Sequence, residues 1–216
     1  MALSGELPKQ TAPATDAAQA GTNAEAALVA AARVGDEVAW LRLVETHQEA
    51  IFRLAYLMLG SSFGVDDAED VAQEAFVRAF LHLDQFDDSR PLRQWLLGIA
   101  ANLARNRRRS AGRYWAALKR WWQNDDRSLT VAPLHEKRSE ARELWQAVQQ
   151  LKAPAQEVIY LSYFMDLSEA ETATALGVPK GTVKSRLHRA RKQLRAVIAS
   201  DFPSLYDEWQ EHHERG

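Results

Sequence analysis

Between Lys180 and Val197 the chain carries seven Lys or Arg and no acidic residue, although its formal net charge is −2. Cations segregated along one stretch of an otherwise acidic chain are the electrostatic footprint of a phosphate-binding surface. Lys180, Thr182, Lys184, Ser185, Arg186, His188, Arg189, Arg191 and Lys192 mix long cations with short hydroxyls. Such side chains pair with phosphates and with base edges alike. A second positive block runs from Ser89 to Arg127, with ten basic residues against two acidic. It places Arg93, Arg105, Arg107, Arg108 and Arg109 near the amides of Asn102 and Asn106 and the indole of Trp95. Guanidinium groups beside amides and an aromatic suit single-stranded or distorted nucleic acid, where phosphates are paired and an unstacked base is held. The plainer alternatives are that the arginines solubilise a helix end and that Trp95 is a core residue.

Catalytic chemistry finds little footing. There is no cysteine, no glycine-rich phosphate loop and no HExxH, so no enzyme and no cofactor is expected. The adjacent His212 and His213 would point apart on a helix, so no metal site is expected either. The acids Asp66, Asp67, Glu69 and Asp70 are explained by the first turn of a helix, where negative charge is favoured.

The elements that must position these side chains read as helices throughout. No stretch alternates with period two, so the expected fold class is all-α. Ser168 followed by Glu171 forms a capping box that starts a short helix, Gly177 permits a tight turn, and Pro179 suits the first position of the next helix. Val183, Leu187, Ala190 and Leu194 then bury one face of that helix and leave the cations outside. A short helix, a glycine turn and a basic helix make a helix-turn-helix whose second helix enters a major groove.

Upstream, Asp36 reads as a helix cap, with Val38, Leu41, Leu43, Val44, Ile51, Phe52, Leu54, Ala55, Leu57 and Met58 at core positions before a stop at Gly60. From Asp66 the stripe Ala68, Val71, Ala72, Ala75, Phe76, Ala79, Phe80 and Leu83 is apolar. Off that stripe, Val77 and Leu81 are rimmed by Gln73, Glu74 and Arg78, which fits a partner surface. After Ser89–Pro91 a helix carries Trp95, Leu96, Ile99, Ala100, Leu103 and Ala104 inward. Further on, Leu144, Trp145, Val148, Leu151, Val158, Ile159, Leu161, Tyr163, Phe164 and Met165 support the basic helix.

Charge alternates in blocks: Asp36–Asp88 holds three basic and twelve acidic residues, before the positive block that follows it. Two nucleic-acid contacts joined through a spacer would look like this. The organisation expected is a disordered tail over 1–22, a helical domain over 23–111, a linker over 112–137, a helical domain over 138–199 and an acidic tail over 200–216. Within the linker, a short helix bearing Tyr114, Trp115, Trp121 and Trp122 precedes a flexible stretch. The acidic tail, with Phe202, Leu205, Tyr206 and Trp209, either folds on the second domain or docks elsewhere. No apolar run reaches membrane-span length and no signal pattern opens the chain, so no membrane insertion and a cytoplasmic location are expected.

DAEDVAQEAFVRAFLHLDQFD, WLLGIAANLARNRRR and LSEAETATALGVPKGTVKSRLHRARKQL occur in the order of a bacterial sigma factor. The chain resembles the extracytoplasmic-function (ECF) type of the sigma-70 family over about Asp36–Ala111 and Arg138–Ile198. The resemblance implies a first domain that binds the clamp of RNA polymerase core and opens the minus-ten element. It implies a second domain that reads the minus-thirty-five element as duplex, with the polymerase flap and an anti-sigma factor as further partners. Carried over by position, Asp70, Gln73, Glu74 and Arg78 fall in the polymerase-binding helix. Ser89, Arg90, Leu92 and Gln94 fall in the base-capture loop, followed by Trp95, and Asn102, Arg105 and Asn106 lie beside the melted strand. Lys184, Ser185, His188 and Arg189 match recognition positions, with Lys180, Thr182 and Arg186 beside them on the same helix. Leu92 stands where an aromatic is common, Pro91 stiffens the loop, and Gly98 replaces a usual arginine. The alternative from another class is a stand-alone dimeric helix-turn-helix regulator, which would leave Asp70, Gln73 and the arginine block without a task.

Overall fold

The computed structural model describes residues 14–60, 62–121 and 139–203. Every regular element among them is helical, as the patterning requires. The chain divides into two compact units, Met1–Thr46 and His47–Gly216.

The first unit holds α1 (Ala14–Arg33) and the opening of α2 (Glu37–Leu59). Helix α1 begins at Ala14 rather than at Asn23, because the alanine-rich stretch before Asn23 has strong helix propensity even with few apolar residues to bury. Asp36 caps α2: its Oδ1 accepts from the amides of Val38 and Ala39 at 2.9 and 3.0 Å. Ala39 and Leu43, four residues apart, define the buried row, whereas Val38 and Leu41 are 61% and 58% exposed. Val38 and Leu41 therefore leave the core list, since each falls well to the side of that row.

The second unit continues α2 through the fully buried Ile51, Leu54, Ala55 and Met58 to Gly60, whose φ of 75° ends the helix. Helix α3 (Val65–Leu81) buries Ala68, Val71, Ala72, Ala75, Phe76 and Ala79. Phe80, placed on the same stripe by sequence, is 48% exposed. Each i to i+4 step rotates about 40° around a helix, so the row from Ala68 through Phe76 has turned off the core by Phe80. A single 3₁₀ turn, Leu83–Gln85, and a loop lead to α4 (Leu92–Trp121). Helix α4 packs on α3 and runs on through the start of the expected linker, where the short helix proves to be its continuation.

Helix α5 (Ser139–Gln149) and α6 (Ala153–Ile159) are followed by one π turn, Tyr160–Phe164. The wider turn breaks the 3.6-residue period, which is why Tyr163 is 53% exposed although sequence spacing put it in the core. Leu144, also expected inside, is partly exposed at the rim of α5, one turn before the buried Val148. Tyr160 is buried, and Gln149 Nε2 donates to its hydroxyl at 2.7 Å; burial pushes the phenol well above its ordinary range.

Helix α7 (Glu169–Leu176) starts on the expected capping box: the Glu171 amide donates to Ser168 Oγ at 3.3 Å, and the Ser168 amide donates to Glu171 Oε2 at 2.6 Å. Gly177, at φ 65°, turns the chain into α8 (Lys180–Asp201), with Pro179 at the cap position rather than the first helical one. Val183, Leu187 and Ala190 are buried on α8, and α5, α6 and α7 pack against it. Helix α7 also packs on α4, so both helical blocks of the second unit are joined directly. The acidic residues after Pro203, with Leu205, Tyr206, Trp209 and the paired histidines, lie outside the described residues, as does Trp122.

Candidate nucleic-acid interface

Burying Val183, Leu187 and Ala190, with Leu194 half-buried, turns the opposite side of α8 to solvent. Lys180, Lys184, Ser185, His188 and Arg189 are exposed there, with Thr182 and Arg186 half-buried beside them. Arg189 Nε donates to the Ser185 carbonyl at 3.2 Å, which lays the guanidinium along the helix, and the Ser185 hydroxyl donates to the Thr182 carbonyl at 3.0 Å. Behind them the Arg191 guanidinium stands 5.9 Å from the centre of the Tyr163 ring. An exposed row of cations and hydroxyls on one helix, held by a buried apolar seam, is a shape that fits a duplex groove.

The second positive block is organised differently. Asp87, which the sequence reading did not single out, builds the loop before α4. Its Oδ1 accepts from the Ser89 amide at 3.0 Å and its Oδ2 pairs with Arg90 at 3.3 Å. The hydrogen bonds from Ser89, with Arg90 nearby, hold this carboxyl below the usual aspartate range. Leu92 is buried, so it anchors the loop from beneath and does not present a surface to a base. The Trp95 ring packs on Phe86 with centroids 5.1 Å apart, half-buried, and a cavity of about 300 Å³ opens beside it. Phe86, Asp87, Arg90, Gln94, Trp95 and Asn102 line that cavity from the α4 side. Thr174, Ala175 and Gly177 close it from the α7 side, and its lining offers an indole face and the amide of Asn102 to a flat heterocycle.

Asn102 and Asn106 are exposed on α4, one turn apart, while Arg105 is mostly covered. Arg105 Nη1 donates to Asn102 Oδ1 at 2.7 Å, and its Nε and Nη2 donate to the Glu157 carboxylate at 3.1 and 3.3 Å. Gln94 is buried, and its Nε2 donates to Glu171 Oε1 at 2.5 Å. The sequence signal for Glu157 and Glu171 as partners was absent, because both lie far along the chain from the residues they hold.

On α3, Asp70, Gln73, Glu74 and Arg78 are all exposed, with Val77 and Leu81 beside them at 57% and 66% exposure. Arg78 Nη2 donates to Glu74 Oε1 at 2.6 Å. Asp70 is less free than its exposure suggests, because Arg107 Nη2 bridges Asp67 and Asp70 at 2.7 and 2.9 Å. Burial opposes the charge on Arg107, but the two carboxylates outweigh it and hold the guanidinium firmly protonated. Among the described residues no His, Cys, Asp or Glu cluster could hold a metal ion, and no helix is long and apolar enough to cross a membrane.

Comparison with known proteins gives the same two blocks. Sigma-70 region 2 matches residues 43–114, and Sigma-70, region 4 matches residues 141–194. The ECF RNA polymerase sigma factor SigW of Bacillus subtilis is 36% identical over 173 residues, covering 76% of this chain and 91% of its own length. The RNA polymerase sigma factor CnrH of Cupriavidus metallidurans is 30% identical over 192 residues, or 83% of this chain and 96% of CnrH. Among solved structures, CnrH in complex with the cytosolic domain of CnrY superposes with a TM-score of 0.59 at 30% identity, covering 82% of this chain and 99% of CnrH. The sigma factor RpoE in complex with the anti-sigma factor NepR, from Bartonella quintana, superposes with a TM-score of 0.61 at 26% identity, over 74% of this chain and 96% of RpoE.

Proposed function

The chain belongs to the ECF branch of the sigma-70 family, and on that premise we propose that it divides promoter recognition between its two basic faces. As a sigma factor it works with RNA polymerase core and promoter DNA to direct transcription initiation, in a family that is not enzymatic. In this reading α8 docks into the duplex of the minus-thirty-five element, with Lys184, Ser185, His188 and Arg189 toward the bases and Lys180, Thr182 and Arg186 toward the backbone. The loop over Ser89–Gln94, with Trp95, Asn102, Arg105 and Asn106, receives the melted minus-ten strand. The exposed face of α3 around Gln73, Val77 and Leu81 meets the polymerase clamp, and the second domain reaches the flap. An anti-sigma factor is a further partner, by similarity to CnrH and RpoE, each solved with a bound partner. The cytoplasm is the place of action.

The observation that carries the reading is the contrast between the two faces. One is a straight, exposed row of cations suited to a regular groove. The other sets an indole beside the exposed Arg90, Asn102 and Asn106, which suits a base that has left the stack. Reconstitution with RNA polymerase core tests it: the holoenzyme should initiate at a specific start site and render thymines near it reactive to permanganate, and the free chain should do neither. A tight, sequence-specific dimer of the free chain on duplex DNA, with no stable core complex, would favour the regulator reading.

A further inference from the structure

The run from Arg105 to Arg109 reads in sequence as one strand-binding block, yet its members reach different elements. Arg107 reaches α3, where its Nη2 donates to Asp67 Oδ1 and Asp70 Oδ2 at 2.7 and 2.9 Å. The other oxygen of Asp67 accepts from the Gly64 amide at 3.1 Å and so caps α3. Arg108, the next residue, turns to the end of α2 and donates to the Met58 carbonyl at 3.0 Å. That carbonyl belongs to the last helical turn, where intrahelical partners run out and a cation is favoured. Two adjacent arginines of α4 therefore grip the end of α2 and the start of α3. Asp67 and Asp70 lie three residues apart on one helix, where like charges repel, and the Arg107 cation between them offsets that repulsion.

Asp70 also heads the exposed row of α3, with Glu74, Val77 and Leu81 following it at helical spacing. Held through Oδ2, its carboxylate is fixed in direction but keeps lone pairs for a further donor, and its side chain is 61% exposed. We propose that Arg107 is a positioning residue for polymerase binding: from α4 it sets how α3 begins and how Asp70 and the row behind it are presented, and it does not contact the melted strand. The proposal rests on the reading that this row meets the polymerase clamp. A surface already held in its docking direction loses less freedom on binding, so the clasp contributes affinity without touching the partner. The same clasp disqualifies Arg107 as a phosphate ligand. One guanidinium between two carboxylates leaves a cluster of net negative charge, which repels a phosphate.

Arg107→Gln and Asp67→Asn test this in the full chain, and the asparagine keeps an oxygen for the Gly64 amide. Each should weaken the complex with RNA polymerase core about fivefold in a binding titration. The double variant should lose no more than either single one, because both remove the same clasp. At saturating core, Arg107→Gln should open the promoter as the wild type does, whereas Asn102→Ala should stay defective. Upstream duplex affinity of the free variants, read below their unfolding transition, should match the wild type; if Arg107→Gln folds poorly, Asp67→Asn carries the test. Additive losses, or a silent Asp67→Asn beside a weakened Arg107→Gln, would mean that Arg107 touches a partner itself, and would overturn the proposal. An opening defect of Arg107→Gln that persists at saturating core would return it to the strand-binding face and overturn it equally. If Arg107→Gln leaves core affinity unchanged while Leu81→Asp lowers it, the proposal alone fails. If Leu81→Asp is silent as well, the polymerase reading of α3 has failed and the proposal falls with it.

Discussion

Arg189 and Lys192 lie within one turn of α8, yet they are expected to do different work. Arg189 lies along the exposed face beside Ser185, where a planar fork can reach a base edge, and a good bidentate contact contributes about 1–3 kcal/mol of discrimination. Arg189→Ala should lower activity and relax preference at one or two upstream positions in a promoter library, whereas Lys192→Ala should weaken binding evenly across sequences. Asn102 is the corresponding test on α4. Extruding a base costs a few kcal/mol that local contacts must offset, so Asn102→Ala should slow promoter opening, spare upstream duplex binding, and be rescued by a pre-melted template. Glu171 gives a pH-dependent test. The side-chain and backbone hydrogen bonds from Ser168, and Arg93 more weakly, hold its carboxyl below the ordinary value of 4.5, against a smaller opposing effect of burial. A depressed folded pKa contributes stability that is fully present above the unfolded value and is lost as pH falls through the folded one. Glu171→Gln keeps a capping partner but cannot titrate, so its unfolding temperature should fall less steeply than that of the wild type below about pH 4.5.

At the scale of elements, α3 carries the cleanest test of the polymerase surface. Leu81 is two-thirds exposed and lies off the buried stripe of α3, so Leu81→Asp should change stability by no more than about 0.5 kcal/mol. It should nonetheless weaken the core complex several-fold in a binding titration, and Gln73→Ala should do so more mildly. Asp70 is a poorer probe than its sequence position suggested, because replacing it also disturbs Arg107. Helix by helix, most of this was legible beforehand: the Ser168–Glu171 box, the Gly177 turn and the buried seam of α8 are local patterns, and local patterns survive folding. What escaped was set by tertiary geometry. The π turn after Ile159 moved Tyr163 outward without any cue in the spacing. Leu92 sits in a loop motif but points into the core. The partners of Arg105 and Gln94 lie 52 and 77 residues along the chain, a distance over which a single sequence carries no pairing signal.

For the molecule as a whole, the separation of two basic faces by acidic blocks predicts how affinity should depend on salt. Each phosphate neutralised on duplex DNA contributes a slope of about −0.9 to log K against log salt. The free chain offers duplex DNA the exposed cations of α8, while Arg105 and Arg107 of α4 are held by Glu157, Asp67 and Asp70. Its duplex affinity should therefore be weak, with a slope set by the few α8 residues that reach phosphates. Substituting any one of Lys180, Arg186 or Lys192 by alanine should make the slope shallower by about one such increment. Removing Arg105 or Arg107 should leave it unchanged. In holoenzyme the order should reverse for opening: Arg105→Ala should make permanganate reactivity near the start site fall off at lower salt, while upstream footprinting persists. A chain in which the α4 arginines steepen the salt slope on intact duplex would be using both faces on double-stranded DNA, and the division of labour between the two domains would have to be abandoned.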